Sequence, residues 1–207
     1  MYKHFFKRVI DFTAALCALL VIWPILLVIT VWLHFANKGA GAFFLQERLG
    51  KDEKVFKIVK FKTMTDERDV DGNLLPDEAR ITKIGRFIRS TSIDELPQLW
   101  NVLVGDMAII GPRPLLVRYK SWYTEEEHHR HDVRPGISGY AQSHGRNKIS
   151  WDEKLAMDVW YVNHVSLKTD LSIFIMTIKS VLLRESVEVV GVEALDVCRM
   201  KERNESH

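Results

Sequence analysis

Twenty-two consecutive residues, Phe12 to Leu33, carry no formal charge and are mostly Leu, Ile, Val, Ala and Trp. As a helix such a run reaches about 33 Å, enough to cross the hydrocarbon core of a bilayer, and it is not a soluble core helix. Lys3, Lys7 and Arg8 precede it as the basic region of a secretory leader would, but the run is too long and no small-residue cleavage site closes it. Pro24, near the middle, removes a backbone donor and leaves two halves of about 12 residues, each matched to one leaflet. A full crossing would put the basic N-terminal stub, with no acid before Asp11, opposite a cytoplasmic domain and against the positive-inside tendency. A re-entrant helix-break-helix that returns both ends to the cytoplasmic face removes the conflict. It is expected here in preference to an ordinary kinked anchor, although proline is common in spanning helices.

The rest of the chain is ordinary in composition. Its 207 residues suit one domain, and 29 basic against 27 acidic side chains leave a charge of +2. At 47% hydrophobic and 27% charged, it is not disordered, collagen-like or wholly membrane-embedded. Cys17 and Cys198 lie in unrelated surroundings, which excludes a disulfide framework and fits a reducing compartment. Neither the net charge nor any interleaved aromatic and basic stripe argues for nucleic acid.

Downstream, Ala42 to Glu47 and Val55 to Thr63 read as two strands joined by the charged turn Gly50-Lys51-Asp52-Glu53. Strand periodicity puts Lys60 and Lys62 on one face, either a solvated face or a pair of ammonium groups for an anion. The acid-rich stretch from Asp66 to Ala79, with Gly72-Asn73 and Pro76, reads as an exposed loop. Arg80, Lys83, Arg86 and Arg89 then recur at spacing three, a basic amphipathic helix that is either solvated or set against phosphate or anionic lipid. Ser92-Ile93-Asp94-Glu95 matches a capping box, so a helix is expected to start at Ser92 and run to Gly105. Asp94 and Glu95 are then either helix caps or catalytic carboxylates.

Ile110-Gly111-Pro112-Arg113-Pro114 is a rigid turn that displays one guanidinium, the group suited to bidentate phosphate capture. A second polar loop from Arg134 to Gly139 leads to Gln142, Arg146 and Asn147. The tract Glu125 to His131 invites a zinc reading, which is set aside because adjacent histidines point to different helix faces and no cysteine is near. Leu167 to Leu183 is apolar but carries Lys168, Asp170 and Lys179; it is an interfacial or a core helix, too polar to span. Residues Lys201 to His207 read as a frayed tail.

The stretches Arg80 to Arg89, Thr91 to Val102, Gly105-Asp106-Met107 and Gly111-Pro112-Arg113-Pro114 closely resemble the bacterial sugar transferase family, the small monotopic phosphoglycosyl transferases. The likeness extends upstream through Phe56 to Met64 and downstream through Arg134-Pro135-Gly136. The resemblance implies transfer of a sugar 1-phosphate from a UDP-sugar to polyprenyl phosphate, with release of UMP. It also implies a bacterial inner-membrane enzyme with its catalytic domain on the cytoplasmic face. By this resemblance Asp94 is a nucleophile that forms a covalent phosphosugar intermediate, and Glu95 is a metal ligand or a base for the incoming lipid phosphate. Mg²⁺ is the implied cofactor, held at Asp94 and Glu95. Lys60, Arg89 and Arg113 match phosphate-binding positions, and Arg146 a nucleotide contact.

The expected fold is α+β and mostly α: a re-entrant membrane helix over 1–37 and a catalytic domain over 38–200 with a small β-hairpin and interfacial amphipathic helices, then a tail over 201–207. The implied partners are UDP-sugar, polyprenyl phosphate and membrane lipid, with homo-oligomerisation left open. The competing functions are a catalytically silent membrane adaptor and a UDP-sugar phosphodiesterase.

Overall fold

The structure is a computed structural model and describes residues 1–144, 149–182 and 193–205. After one wide turn at Tyr2–Phe6, helix α1 runs over Lys7–Ala36. Its backbone stays helical through Pro24, so the expected helix-break-helix is not seen as an interruption. An internal proline deletes one hydrogen bond and can bend a helix without ending it. The buried positions Lys7, Asp11, Ala15, Ile29 and Leu33 repeat at helical spacing along one face. Between them Leu20, Val21, Trp23, Ile25, Leu27 and Val28 are 55% to 75% exposed, a surface that is stable against lipid rather than water.

Both ends of α1 dock on one layer of the domain. Ala15 packs with Ile58, Val102 and Met107, and Arg8 donates to the carbonyls of Val102 (2.5 Å) and Leu103 (2.9 Å). Toward the other end, Ile29 and Leu33 pack with Ala42, Phe61 and Ile88. The buried Asn37 amide then donates to the carbonyls of Gly41 (2.8 Å) and Lys62 (2.6 Å).

Strands β1 (Phe43–Leu49) and β2 (Val55–Phe61) form the expected hairpin, antiparallel, with Lys60 opposite Phe44. The basic helix expected from Arg80 onward is two elements, the single turn α2 (Asp77–Arg80) and α3 (Lys83–Ser90). Ile81 is extended, and the Thr82 hydroxyl caps α3 by accepting from the Gly85 amide at 2.9 Å. Helix α4 (Gln98–Val104) ends at Gly105, whose φ of 100° closes it as expected. Asn101 fastens α4 to β2: its Oδ1 accepts from the Val59 amide (3.0 Å) and its Nδ2 donates to the Lys57 carbonyl (2.9 Å). An edge strand otherwise left with open backbone groups is thereby paired by one side chain.

The short strand β3 (Ala108–Ile110), the turn α5 (Glu125–His128) and strand β4 (Gly136–Ser138) follow. β3 and β4 pair in parallel, and a Cβ at Gly136 would lie 2.1 Å from the Gly111 nitrogen, so only glycine lets the two strand ends meet. Helices α6 (Tyr140–His144), α7 (Trp151–Asn163), α8 (Leu167–Leu182) and α9 (Leu195–Glu205) complete the chain. In α8 Ile173 is buried, whereas Leu167, Leu171, Phe174, Ile175 and Ile178 form an exposed apolar stripe. Asp170 of α8 holds Lys7 of α1 at 2.7 Å, which sets that stripe beside the start of the membrane helix. The tail expected to fray from residue 201 is instead helical through Glu205, because Arg199 bonds Glu127 and Asp152 and Leu195 is fully buried with Leu49 and Tyr119.

His131, 4% exposed, donates through Nδ1 to the Gly50 carbonyl at 3.1 Å and fixes the hairpin turn. Its Nε2 is buried and has no partner among the described residues. Burial, and then the charge of Arg130, push this imidazole from 6.5 down to about 4. Between those values the unfolded chain binds the extra proton. Stability is therefore expected to fall by about 3 kcal/mol as the pH drops through that window. Denaturant unfolding near pH 7 and near pH 4 checks this, and His131→Leu should lose that part of the slope.

Candidate active site

The segment between α3 and α4 carries the two adjacent acids on an unusual turn. Ser92 adopts the left-handed conformation (φ 56°, ψ 17°) and makes no side-chain cap, so the capping box expected there does not form. Ile93–Glu95 make a single 3₁₀ turn, and α4 begins only after Pro97, whose missing amide and fixed φ suit a helix start. A non-glycine residue in this region costs about 1–2 kcal/mol. Ile93 packs against the cluster of Leu33, Phe61 and Ile88, and that burial holds the turn in place.

Two cations converge on one oxygen. The Lys60 ammonium lies 2.6 Å and the Arg113 guanidinium 3.0 Å from Glu95 Oε1. Burial raises the Glu95 carboxyl, but Arg113 and Lys60 more than offset this and bring it down to about 2. Asp94 moves the other way. Burial and the charge of Glu95 push it above the ordinary carboxylate range, and Lys60 and Arg89 pull it only partly back. Adjacent carboxylates are thus driven apart, one locked as an anion and the other made more basic and hence more nucleophilic.

The Arg113 turn is held by its backbone while its side chain stays 47% exposed. The buried Arg130 donates to the Arg113 carbonyl at 2.7 Å and to Asp158 Oδ2 at 2.7 Å, and the Gly136 amide donates to the Pro112 carbonyl at 2.9 Å. The guanidinium is therefore presented from a fixed base.

Of the residues expected from the sequence, Lys60, Asp94, Glu95 and Arg113 are brought together. Arg89 is close enough for its charge to act on Asp94, and its Nη2 meets Met64 Sδ at 3.8 Å. Lys62 turns instead to Asp66 (2.5 Å) and the Ala40 carbonyl (3.0 Å). Arg146 lies outside the described residues. Sequence reasoning missed Asn101 and Arg130, which bond the backbone of β2 and of the Arg113 turn, Asp158, which pairs with Arg130, and Arg48 beside the proline turn.

For a cation, the donor set is two carboxylates, and among the described residues no group of three or more His, Cys, Asp or Glu could hold a metal. Glu95 Oε2 accepts no hydrogen bond from the described residues. Two carboxylates with free oxygens fit Mg²⁺, which binds through one or two carboxylates, waters and substrate phosphates, and they fit poorly with an all-protein cage.

Residues 2–184 match the family described as bacterial sugar transferase. The chain is 50% identical over 182 residues to the uncharacterized sugar transferase EpsL of Bacillus subtilis (strain 168), covering 88% of this chain and 90% of that one. It is 38% identical over 197 residues to the galactosyl transferase CpsE of Streptococcus agalactiae serotype III (strain NEM316), covering 88% of this chain and 43% of that one. It is also 38% identical over 185 residues to the UDP-glucose:undecaprenyl-phosphate glucose-1-phosphate transferase of Klebsiella pneumoniae, covering 84% of this chain and 39% of that one. The chain therefore spans about two fifths of the latter two relatives and most of the first. With a family match along nearly its whole length and the acid pair, lysine and proline-flanked arginine gathered at one place, the chain belongs to the bacterial sugar transferase family.

Proposed function

We propose that this protein is a membrane-bound phosphoglycosyl transferase that moves a sugar 1-phosphate from a UDP-sugar to polyprenyl phosphate, such as undecaprenyl phosphate, and releases UMP. This would be the first membrane step in building a glycoconjugate. The observation that carries the reading is the split pair: Glu95 held as an anion by Lys60 and Arg113, beside an Asp94 that no ion pair occupies among the described residues. Simple helix caps need no such arrangement. The name of the Klebsiella relative supplies the donor and acceptor classes.

In this scheme an Asp94 carboxylate oxygen attacks the phosphorus that bears the sugar. The bond from that phosphorus to the UMP oxygen breaks, and UMP leaves as an anion next to Arg113. An oxygen of the lipid phosphate then attacks the same phosphorus and frees Asp94, leaving a polyprenyl diphosphate sugar. Glu95, held as an anion by Lys60 and Arg113, stays a carboxylate throughout and serves as a metal ligand rather than a base. Splitting the reaction keeps the two anionic substrates from having to meet directly. Asp94 and Glu95 would hold Mg²⁺, which supplies charge neutralisation and polarises the phosphoryl oxygens. Lys60, Arg89 and Arg113 would hold the donor phosphates, with Arg146 on the nucleotide.

A monotopic placement on the inner membrane, with residues 38–200 on the cytoplasmic face, completes the proposal. It is supported by α1 docking at both ends on one domain, through Arg8 and Ala15 at the start and Leu33 and Asn37 at the finish. A crossing helix would leave those ends on opposite sides. Single cysteines at positions 3 and 38, in a Cys17-free background, are both expected to react only from the cytoplasmic side in intact membranes. Position 3 reacting only from outside would refute the placement.

Arg113→Lys is expected to lower donor kcat/KM by about ten- to a hundred-fold, because a point charge cannot replace a bidentate fork. Thermal unfolding should barely move, since the side chain is half exposed. The activity itself is tested by UMP release from a panel of UDP-sugars with and without polyprenyl phosphate. Repeated turnover that depends on the acceptor, with at most one UMP per protein released without it, supports transfer; repeated turnover without the acceptor marks a phosphodiesterase, and no release with any donor marks an adaptor.

A further inference from the structure

Arg48, at the penultimate position of β1, has no part in the scheme above. The chain brings it to the active-site turn: the Leu49 amide donates to the Leu115 carbonyl at 3.1 Å, and Arg48 bridges Leu116 in antiparallel fashion. Its Nη1 donates to the Pro114 carbonyl at 3.4 Å and its Nη2 to Gln46 Oε1 at 2.5 Å. Its Nε is buried and has no acceptor among the described residues.

The two arginines of the proline turn and its support are ion-paired, Arg113 with Glu95 and Arg130 with Asp158. Arg48 touches only neutral oxygens, and no carboxylate lies within ion-pair distance of it among the described residues. Burial, then the like charge of Arg113, disfavour its cationic form, and Glu95 only partly compensates. A partly buried guanidinium with no anionic partner is unfavourable, and an anion arriving beside it relieves that cost. An anionic group of a substrate would give Arg48 the charge partner that Arg113 and Arg130 already have.

We propose that Arg48 and Arg113 form a two-guanidinium clamp around one phosphate group of a substrate, Arg48 approaching from β1 and Arg113 from the proline turn. The ligand's identity rests on the phosphoglycosyl transfer reading, and both the nucleotide and the lipid acceptor carry the required group. Arg48 is then a substrate-binding residue and not only a pin for the Pro114 carbonyl.

The test uses the full chain in detergent without turnover. Arg48→Gln and Arg48→Lys are titrated with UMP and uridine, and with a short-chain polyprenyl phosphate and its polyprenol. Arg48→Gln is expected to weaken one phosphate ligand by about ten- to a hundred-fold while its phosphate-free counterpart is unchanged. Arg48→Lys should recover only part of the loss. A loss confined to UMP places the clamp on the nucleotide, and a loss confined to polyprenyl phosphate places it on the acceptor. Unchanged affinity for both phosphates, or equal losses with and without phosphate, overturns the proposal. If Arg48→Gln does not fold, Arg48→Lys decides alone, and parental affinity for both phosphates overturns it. Transfer that fails while the UMP effect persists refutes the transferase reading and leaves the clamp standing.

Discussion

Asp94→Asn is expected to lower transfer by roughly 10⁴-fold or more, the scale on which removal of a covalent nucleophile acts, and to abolish labelling of the protein by donor phosphate. The substitution keeps size and shape, so the Ser92 turn should survive and thermal unfolding should stay near the parent's. An amide has neither the charge nor the raised basicity that burial and Glu95 give the Asp94 carboxylate. Glu95→Gln should behave differently. It removes the anion to which Lys60 and Arg113 are tied but leaves the nucleophile, so a slow partial reaction or a trapped adduct is expected. Full lipid transfer by Asp94→Asn would end the nucleophile assignment.

The largest effect on stability is expected at a residue remote from the reacting atoms. Asp158 is 5% exposed, and Arg130, at 2%, depends on it for its charge partner. Asp158→Asn leaves that guanidinium buried and uncompensated, a change that costs about 3–5 kcal/mol. Arg130 also donates to the Arg113 carbonyl, so kcat/KM should fall in the fraction that remains folded. The double change Arg130→Met with Asp158→Leu removes both charges together and should restore most of the stability but not the activity. Chemical denaturation of the three variants measures the first effect. A single Asp158→Asn variant as stable as the parent would show that Arg130 does not depend on Asp158 for its charge partner.

Much of the site was legible because its determinants are local. The hairpin could be read from two apolar runs around a charged turn, the end of α4 from Gly105, and the exposed guanidinium from the prolines on either side of Arg113. The rest depends on tertiary partners. Ser92 carries every mark of a helix cap, yet Pro97 suits the helix start better and the burial of Ile93 fixes the left-handed turn between them. β3 and β4 have three residues each, too few for any periodicity. Arg130 sits in a tract whose histidines suggest a metal, while its partner Asp158 lies 28 residues further on. Nothing in the order of residues joins Arg48 to Arg113. That adjacency arises from the pairing of Arg48 with Leu116. For the membrane helix, length and proline set the expectation, whereas the docking of both ends came from packing.

In the proposed reaction Asp94 carries the sugar phosphate between donor and acceptor. The most direct measurement is the intact mass of the protein, followed by peptide mapping, after incubation with its UDP-sugar and Mg²⁺ but without polyprenyl phosphate. A gain of one sugar phosphate is expected on the peptide containing Asp94, chased off when polyprenyl phosphate is added and missing in Asp94→Asn. Lipid product formed by a parent protein that never acquires this mass, or an adduct that maps to another residue, would contradict it.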